Sequence, residues 1–516
     1  MNKKYLETIA VLDFGSQYTQ LIARRIRENN IYSEIFPFDI DIKRLKDKNI
    51  KAIILSGGPS SVYDDDAPKL NPELLSLEIP ILGICYGLQL LLYNFGGKIV
   101  KGKVGEYGNA TINQSIDNIL FEKIPNQINV WMSHADKVQK INNNWKVLAQ
   151  SKNKIIAAVQ HSSKPIFGVQ FHPEVTHTDF GKKIVSNFLF KICKLKKNWN
   201  AENFINDSIK EIREKVGNNE VICGLSGGVD SSVVATLLHR AIGNKSKSIF
   251  IDHGLLRKNE VNDVLINLQK DLGINIKLLD HSKIFLNKLE GVTDPEKKRK
   301  IIGEQFIRSF ESKIKEYDKV KFLAQGTLYP DVIESGGSKV GPAVIIKSHH
   351  NVGGLPEDMK LVLIEPLRDL FKDEVRNIGK KLGLSDQVVN RHPFPGPGLA
   401  VRIIGEITLE RIRILQEADN IFINILKETQ EYDKIWQAFC VLIPIKTVGV
   451  MGDERTYDNL IALRAVTSID GMTAKWYNMK HEFLERCSSQ IVNKVKGINR
   501  VVYDITSKPP GTIEWE

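Results

Sequence analysis

A chain of 516 residues is long enough for two to four domains, and its 26% of charged and 42% of apolar residues are typical of globular proteins and exclude a disordered or fibrous one. Its formal charge of +11 comes mostly from Lys residues spread along the whole chain, and because no basic block is interleaved with aromatic residues we expect no nucleic-acid partner. The five cysteines are far apart and form no CxxC pair, which argues against a disulfide framework or a zinc site and favours a cytoplasmic protein.

Two apolar stretches near the start are interpreted as core segments. The first is short and ends at Asp13, so it predicts a strand and not a signal peptide. The second, residues 79–97, carries no charge, but it contains Pro80, Gln89 and four glycines, which favour a buried strand, a turn and a helix. We therefore predict no membrane partner.

Strand and helix patterns alternate through the first part of the chain. Residues 8–14, 51–58 and 80–85 are predicted as strands, and residues 17–29 as an amphipathic helix. This alternation is typical of a mainly parallel sheet with helices on both faces. A Lys-rich stretch then breaks the pattern, so we predict a first domain over residues 1–198.

A second alternating region predicts another α/β domain, over residues 199–391. Its strands are predicted at residues 220–225, 247–254 and 320–327. The segment that follows, HPFPGPGL (392–399), holds three prolines and two glycines. Because proline fixes φ, we expect a stiff connector there.

The remaining residues, 392–516, are predicted as a smaller C-terminal domain. Its strands are predicted at residues 447–452, 463–468 and 500–505. The predicted fold class is therefore α/β, with two doubly wound domains that have mainly parallel sheets, followed by a smaller C-terminal α/β or α+β domain.

The segment GICYGLQ, residues 83–89, is a candidate nucleophile turn. Glycines on both sides of Cys85 permit the strained turn that lifts a side chain above a sheet, and the helix behind it favours the reactive thiolate. A cysteine in an apolar run can also be a small core residue, so this segment alone leaves both interpretations open.

A candidate base for this thiol follows the apolar run in IFGVQFHPE, residues 166–174. His172 and Glu174 are two positions apart, so we expect both on the same side of a strand. His172 could take the thiol proton, and Glu174 could fix the tautomer of His172. With Cys85 they predict a Cys–His–Glu triad.

The GxCxGxQ and HPE motifs together resemble those of class I glutamine amidotransferases. The resemblance implies that Cys85 is the nucleophile, His172 the base and Glu174 its partner. It also implies an oxyanion hole formed by the backbone N–H groups of Gly58 and Tyr86. The residues implied around bound glutamine are Gln89, Ser133, His134 and Asp136. For His134 the alternative of a surface-loop histidine stays open.

The segment LSGGVDSS, residues 225–232, lies between a predicted strand and a predicted helix. Backbone N–H groups and the positive helix end would attract an anion, and glycines let it come close, so we predict a phosphate site. The loop lacks the lysine of a Walker A motif. Ser226 with Ser231 or Ser232 could donate to phosphate oxygens, whereas Asp230 could hold magnesium. A plain strand-to-helix turn with a capping side chain stays open as the alternative.

The sequence SGGVDSS resembles the PP-loop of the ATP pyrophosphatase family, whose members cleave ATP between the α and β phosphates and adenylylate a substrate. The resemblance implies Mg²⁺ bound with ATP at Asp230. Asp252 and Gly326 lie at the carboxyl ends of the next predicted strands, where open α/β sheets bind ligands, and are expected near ATP as well. The loop residues implied to bind ATP are Ser226, Gly227, Gly228, Val229, Asp230, Ser231 and Ser232.

From Val11 to the last residue the sequence resembles the glutamine-hydrolysing GMP synthetase family. The family reaction would convert XMP, ATP, glutamine and water into GMP, AMP, pyrophosphate and glutamate, and a homodimer through the C-terminal domain is implied. The segments that carry the resemblance are VLDFGSQYTQLIARRIRE, GICYGLQLL, LSGGVDSSV, DHGLLRKNE, DPEKKRKIIGEQFI, LAQGTLYPDVIES, KSHHNVGGLP, RHPFPGPGLAVRIIGE and KPPGTIEWE.

This resemblance implies two more groups of residues. The segment DPEKKRK is similar to a mobile lid, although a charge run is normally a solvated helix face. The C-terminal domain is implied to contact XMP, although Lys508 could be a solvated tail residue, and Gly511 stands where we expect alanine. The lid residues are Asp294, Glu296, Lys298, Arg299 and Lys300, and the XMP contacts are Arg402, Lys508 and Glu514.

Two other functions stay open at this point. A PP-loop ATPase that modifies RNA, fused to an ammonia source, would suit the net charge, but its thiolating members use paired catalytic cysteines and none lie near the loop. A glutamine or nucleotide sensor would have an inactive triad, whereas Cys85, His172 and Glu174 are all present.

Overall fold

The structure is a computed structural model that describes residues 7–317, 319–335, 361–451, 453–468, 471 and 473–516. The segment KSHHNVGGLP lies outside the described residues. The chain forms two compact units, and the main division between them follows Phe204. The separation of residues 392–516 from residues 199–391 as a third domain stays a prediction. Across the described ranges, no helix has the length and hydrophobicity needed to cross a bilayer.

The first unit is built on one mixed sheet of nine strands. These are β1 (Thr8–Asp13), β2 (Tyr32–Pro37), β3 (Ile50–Leu55), β4 (Ile81–Ile84), β5 (Lys98–Gln114), β6 (Gln127–Lys140), β7 (Trp145–Ser151), β8 (Ile156–His161) and β9 (Ile166–Val169). Their order in the sheet is β2-β1-β3-β4-β9-β8-β7-β5-β6. The strands of the β2-to-β9 part run parallel, whereas β8, β7, β5 and β6 are added antiparallel.

The parallel part confirms the α/β fold class, because its strands are buried on both faces. Ile9, Ala10, Val11 and Leu12 of β1 are all fully buried, which explains the unbroken apolar run. The antiparallel strands β5 to β8 were not predicted.

The α-helices in the described residues of this unit are α1 (Thr19–Arg27), α2 (Ile42–Lys46), α3 (Tyr86–Asn94) and α4 (Gly181–Asn187). Every residue of α3 from Tyr86 to Leu92 is buried. The uncharged stretch at 79–97 is therefore a core strand, a turn and a core helix, as predicted.

The second unit contains a wholly parallel sheet of five strands in the order β12-β11-β10-β13-β14. These are β10 (Glu220–Leu225), β11 (Ser246–Asp252), β12 (Ile276–Asp280), β13 (Val320–Ala324) and β14 (Val362–Ile364). The helices that accompany them are α5 (Ala201–Val216), α6 (Val229–Ile242), α7 (Glu260–Val264), α8 (Ser282–Leu289), α9 (Pro295–Ile314), α10 (Tyr329–Ser335), α11 (Lys372–Lys381) and α12 (Asp386–Val389). Because the strands are parallel, the ends of β10, β11 and β13 meet at one edge of the sheet.

The C-terminal part of this unit has a second, mostly antiparallel sheet. Its elements are α13 (Leu409–Glu428), β15 (Gln437–Met451), β16 (Glu454–Thr467), β17 (Lys475–Trp476), α14 (His481–Lys494) and β18 (Ile498–Tyr503). β15 and β16 form a long hairpin, and β18 pairs parallel with β16. The apolar faces of α13 and α14 contribute to the core beneath this sheet through residues such as Phe422 and Ile491. The strands predicted at 447–452 and 463–468 are thus only the ends of two longer strands.

Candidate active sites

Cys85 lies at a strained turn between β4 and α3. Its φ of +53° and ψ of −106° are unusual for a residue with a side chain, and such strain is typical of a nucleophile elbow. The flanking glycines are required by close contacts. A Cβ on Gly83 would lie 2.6 Å from the backbone of Gly87, and a Cβ on Gly87 would lie 2.5 Å from the carbonyl oxygen of Leu55. The turn therefore presents the thiol at the end of the parallel strands.

His172 and Glu174 meet at this thiol. His172 Nδ1 lies 2.7 Å from Glu174 Oε1, and the His172 side chain also shares a hydrogen bond with Cys85. Since Nδ1 faces Glu174, Nε2 is the nitrogen left for the sulfur. Burial opposes the charging of His172, but the Glu174 carboxylate and the bond to Cys85 outweigh it and hold the pKa of His172 well above its usual value.

The route by which these two side chains converge differs from the prediction. β9 ends at Val169, so His172 and Glu174 lie in the turn after the strand and not on it. The turn is held by its own bonds, because His172 N donates to Trp131 O at 3.0 Å and Thr178 Oγ1 donates to His172 O at 2.6 Å. Strand periodicity was thus the wrong reason for expecting them together.

Gly58 and Tyr86, the residues implied for the oxyanion hole, lie against each other. A Cβ on Gly58 would be 3.2 Å from Tyr86 Cδ1 and 2.7 Å from Phe14 O, so only glycine fits. The neighbouring Gly57 is just as close to the triad, since a Cβ there would lie 3.2 Å from His172 Cε1. The backbone of this loop therefore runs directly beside the reactive groups.

The four residues implied around glutamine are also gathered near Cys85. Gln89 Nε2 donates to Asp136 O at 3.3 Å, and Tyr63 donates its hydroxyl to Asp136 Oδ1 at 2.8 Å. Ser133 contributes its carbonyl oxygen, which lies 3.6 Å from Cys85 Sγ.

His134 is buried in β6, so the alternative of a surface-loop histidine is wrong. Its Nδ1 lies 2.8 Å from Asp136 O, and its Nε2 lies 3.5 Å from Glu106 Oε2. Burial lowers the pKa of His134, although both neighbours oppose this shift.

Three residues near the triad were missed by sequence reasoning. Gln170 Nε2 lies 3.7 Å from Cys85 Sγ, the Tyr18 ring packs edge-on against His172 with a centroid distance of 5.0 Å, and Glu106 pairs with His134. Gln170 stands directly in the HPE-containing segment and could have been found there. No motif in the neighbouring sequence indicates Tyr18 or Glu106, because only the folding of the chain brings them close to His172 and His134.

The second candidate site is the loop between β10 and α6. Gly227 has a φ of +72°, a conformation that favours glycine, and α6 begins at Val229. Ser231 Oγ accepts from Ser226 N at 3.2 Å, and the two hydroxyls are 3.1 Å apart. Ser232 is buried, and its hydroxyl donates to Gly228 O at 2.9 Å. Ser231 is less buried than Ser232, although its hydroxyl also donates to Gly228 O, at 3.1 Å.

Asp230 stands at the first turn of α6 with one oxygen available. Oδ2 pairs with the ammonium group of Lys372, whereas Oδ1 is buried and has no hydrogen-bond partner within the described residues. Lys372 was not predicted, since it lies in α11 far along the chain.

Asp252 and Gly326 lie at the same edge of the sheet. Asp252 Oδ1 accepts from Gly254 N at 2.8 Å, and burial together with Asp280 and Glu260 raises the pKa of Asp252. Gly326 packs on the loop itself, because a Cβ there would lie 3.2 Å from Asp230 Cβ.

The segment implied to be a lid is the start of α9, capped by Asp294 Oδ1, which accepts from Lys297 N at 2.8 Å. Lys298 is fully buried, and its Nζ donates to Ile403 O at 2.8 Å and to the carboxylate of Glu516. Burial lowers the pKa of Lys298, and Glu516 opposes that shift. Arg299 lies 3.6 Å from Glu296 and also binds the backbone oxygen of Glu516, whereas Lys300 is exposed.

The residues implied to contact XMP are bound to one another or to backbone. Arg402 is buried, and its Nε and Nη2 donate to the Glu514 carboxylate at 3.0 and 2.8 Å. Its Nη1 has no hydrogen-bond partner within the described ranges. Lys508 is half-buried and donates to Gly471 O at 2.9 Å, so it is not a solvated tail residue.

Three protein-family profiles match consecutive parts of this chain. They are class-I glutamine amidotransferase over residues 10–192, NAD synthase over residues 201–306 and the GMP synthase C-terminal domain over residues 424–515.

Full-length relatives are similar to the whole chain. The glutamine-hydrolysing GMP synthase of Thermosipho africanus is 58% identical, over 99% of this chain and 100% of its own length. That of Aquifex aeolicus is 55% identical, over 98% of this chain and 99% of its own length. Among solved structures, a glutamine amidotransferase from Thermotoga maritima covers 37% of this chain and 100% of its own, with 18% identity and a TM-score of 0.31.

Proposed function

We infer the roles of these two sites from the premise that this chain belongs to the glutamine-hydrolysing GMP synthase family. It is an ATP-dependent ligase that forms a carbon–nitrogen bond. It hydrolyses glutamine to ammonia, adenylylates XMP with ATP, and aminates the adenylate to give GMP, AMP and pyrophosphate. The observation that carries this function is the presence in one chain of a Cys–His–Glu triad at a strained turn and a glycine-rich anion loop at a helix start.

Glutamine hydrolysis is assigned to the first unit. The thiol proton of Cys85 moves to His172 Nε2, and the sulfur attacks the amide carbon of glutamine. The oxygen of the tetrahedral intermediate accepts from the backbone N–H groups of Gly58 and Tyr86. His172 then returns its proton to the leaving nitrogen, and water cleaves the thioester to release glutamate. Glu174 keeps Nδ1 of His172 in the donor role throughout.

Adenylylation is assigned to the loop between β10 and α6. We propose that the hydroxyls of Ser226 and Ser231, with the N–H groups of Gly227 and Gly228, donate to phosphate oxygens when ATP is bound. The ammonium group of Lys372 adds positive charge beside them. Asp252 and Gly326 border the loop at the same sheet edge, where the nucleoside of ATP would lie.

The oxygen donors at the loop fit a magnesium ion bound together with ATP. Asp230 Oδ1 lacks a partner in the described part of the chain and offers one hard ligand. No cluster of three or more metal-binding side chains occurs within the described residues, so phosphate oxygens and water would complete the coordination. When bound, magnesium neutralises phosphate charge.

XMP is assigned to the C-terminal part of the second unit. Arg402 Nη1 is buried and has no hydrogen-bond partner within the described residues, and we propose it as a donor for an anionic substrate. Lys508 lies on the same C-terminal segment as Glu514, the partner of Arg402. Of the three implied lid cations Lys298, Arg299 and Lys300, Lys300 is the exposed one, and we propose that it reaches the substrate, since Lys298 is occupied by Glu516.

A homodimer through the C-terminal sheet is proposed from its exposed apolar surface. Val448 and Tyr457 lie directly opposite each other in the β15–β16 hairpin, and both are more than half exposed. Val450, two residues further, is 73% exposed and lies on the same face. We also propose a cytoplasmic location, because all five cysteines are free thiols.

The function is tested by the products of the ammonia-dependent reaction. XMP, ATP and ammonium salt should give GMP with AMP and pyrophosphate, separated by chromatography. Formation of ADP and inorganic phosphate in their place would contradict adenylylation. A lack of glutamate release from glutamine, with XMP and ATP present, would contradict the role of the first unit.

A further inference from the structure

We propose that Gln170 is a positioning residue that orients both the Cys85 sulfur and the amide of Gln89 for glutamine hydrolysis. This inference deepens the proposed function and rests on it.

Gln170 is placed rigidly beside the nucleophile. It follows directly after β9, its backbone N donates to Ala157 O at 2.8 Å, and the residue is fully buried. A buried amide is costly unless its donors and acceptors are paired, so the contacts of its side chain define its orientation.

Those contacts form a chain of amides that begins at a fixed backbone oxygen. Asp136 O and Gln170 Oε1 each lie 3.3 Å from Gln89 Nε2. A carbonyl oxygen can only accept, so the backbone carbonyl of Asp136 requires the nitrogen of Gln89 on its side. Both N–H groups of Gln89 are then used, and its Oε1 remains to accept from a substrate.

The same chain determines which end of Gln170 faces the sulfur. Because Gln170 Oε1 accepts from Gln89, its Nε2 is directed at Cys85 Sγ, at 3.7 Å. A reversed Gln170 amide would place N–H groups of Gln170 and Gln89 against each other. The sulfur therefore has a carbonyl of Ser133 at 3.6 Å, which suits the thiol, and an amide donor, which suits the thiolate after the proton has passed to His172.

Two variants of matched size separate the two contacts. Gln170→Glu keeps an oxygen that can accept from Gln89 but replaces the nitrogen that faces the sulfur. Gln170→Met removes both contacts and keeps the side-chain length. We expect Gln170→Glu to lower kcat for glutamine hydrolysis by about 10-fold or more and to leave KM for glutamine unchanged, because one hydrogen bond to a charged group is lost. Gln170→Met should lower kcat similarly and also raise KM.

The control is Gln160→Met in β8, because in the described part of the chain no hydrogen bond links Gln160 to Cys85 or Gln89. This variant should behave as the unsubstituted protein. An independent measurement uses no turnover: the rate at which iodoacetamide alkylates Cys85 at pH 7, followed by mass spectrometry, with the other four cysteines as internal references. Both Gln170 variants should be alkylated at least about 10-fold more slowly.

Unchanged alkylation and unchanged kcat in both variants would overturn the proposal, as would an equal loss in Gln160→Met. If Gln170→Met does not fold, as judged by urea unfolding, the results for Gln170→Glu still test the proposal, because the Glu side chain has nearly the same shape as Gln. If the unsubstituted protein releases no glutamate but the variants still slow alkylation, the proposed function fails and the placement of Gln170 beside the sulfur stands.

Discussion

At the scale of single residues, Cys85 separates the two half-reactions. Cys85→Ala should lower glutamine-dependent GMP formation by about 1000-fold or more, because the nucleophile is lost. The ammonia-dependent reaction should be unchanged, since it needs only the second unit. Cys193→Ala, which changes a half-buried thiol elsewhere in the first unit, is the matched control. Loss of the ammonia-dependent rate in folded Cys85→Ala would show that the two activities are not divided in this way.

The pair of His172 and Glu174 predicts a dependence of stability on pH. Because the pKa of His172 is raised, the stabilisation from this pair is fully present below the unfolded value of about 6.5 and is lost as pH rises through the raised value. Glu174→Gln should therefore cost about 3 kcal/mol in urea unfolding at pH 6 and clearly less at pH 9.

A surface pair provides the control for this measurement. Glu122 lies 3.2 Å from Lys191, and both side chains are more than a third exposed, so Glu122→Gln should cost at most about 1 kcal/mol. An equal loss in Glu174→Gln at both pH values would contradict a charged His172.

Several site residues could be predicted from short motifs, and others could not. Cys85 and the glycines around it form a local sequence motif, because these residues by themselves permit the strained turn. Lys372 and Tyr18 reach their sites only through the packing of distant elements, and nothing in their neighbouring residues indicates it.

At the scale of secondary-structure elements, the rigidity of α9 bears on whether the DPEKKRK segment can move, because most of that segment is the first part of this helix. Gly303 is exposed in the middle of this helix, and a Cβ there would meet no atom within 4 Å. Gly303→Ala should therefore stabilise the second unit by about 0.5–1 kcal/mol in urea unfolding. If α9 acts as a rigid support, the ammonia-dependent kcat should be unchanged, whereas a fall would show that α9 must bend during turnover.

The matched variant is Gly326→Ala, which adds the same methyl group at the loop edge. A Cβ there would lie 3.2 Å from Asp230 Cβ, so this substitution should raise KM for ATP without affecting glutamine hydrolysis.

The contact between Lys298 and Glu516 can be measured with a double-mutant cycle. Lys298→Met and Glu516→Gln should each destabilise by about 3 kcal/mol, because each leaves a mostly buried charge without its counter-charge. The double variant should be less destabilised than the sum by about 2 kcal/mol. Lys297→Met, one residue earlier and exposed, is the control and should change stability by no more than about 0.5 kcal/mol. Additive losses would contradict a direct interaction.

Strands were predicted correctly where burial on both faces produces a run of apolar residues in the sequence. They were missed where no such run occurs. β10 was predicted with its observed bounds, because four of the six residues of EVICGL are buried. β6 alternates polar and apolar residues with one face in water, and it pairs with β5 in a long hairpin. Neither strand contains the long apolar run by which the buried strands were predicted.

At the scale of the whole molecule, the exposed face of the C-terminal sheet predicts self-association. We expect light scattering after gel filtration to give the mass of two chains. Val450→Glu should shift the protein to one chain, because a carboxylate would be buried without a partner in an apolar interface. Tyr93→Glu, at an exposed aromatic residue of the first unit, should leave the dimer intact. A dimer that survives Val450→Glu would place the interface elsewhere.

The order in which a ribosome makes this chain gives the last residues a particular importance. Lys298 leaves the ribosome 218 positions before Glu516, its carboxylate partner. Until translation reaches Glu516, the newly made helix lacks the carboxylate that pairs with this ammonium group in the folded structure. Polypeptides that stop before Glu516 should therefore be cleaved by proteases faster than chains that include it.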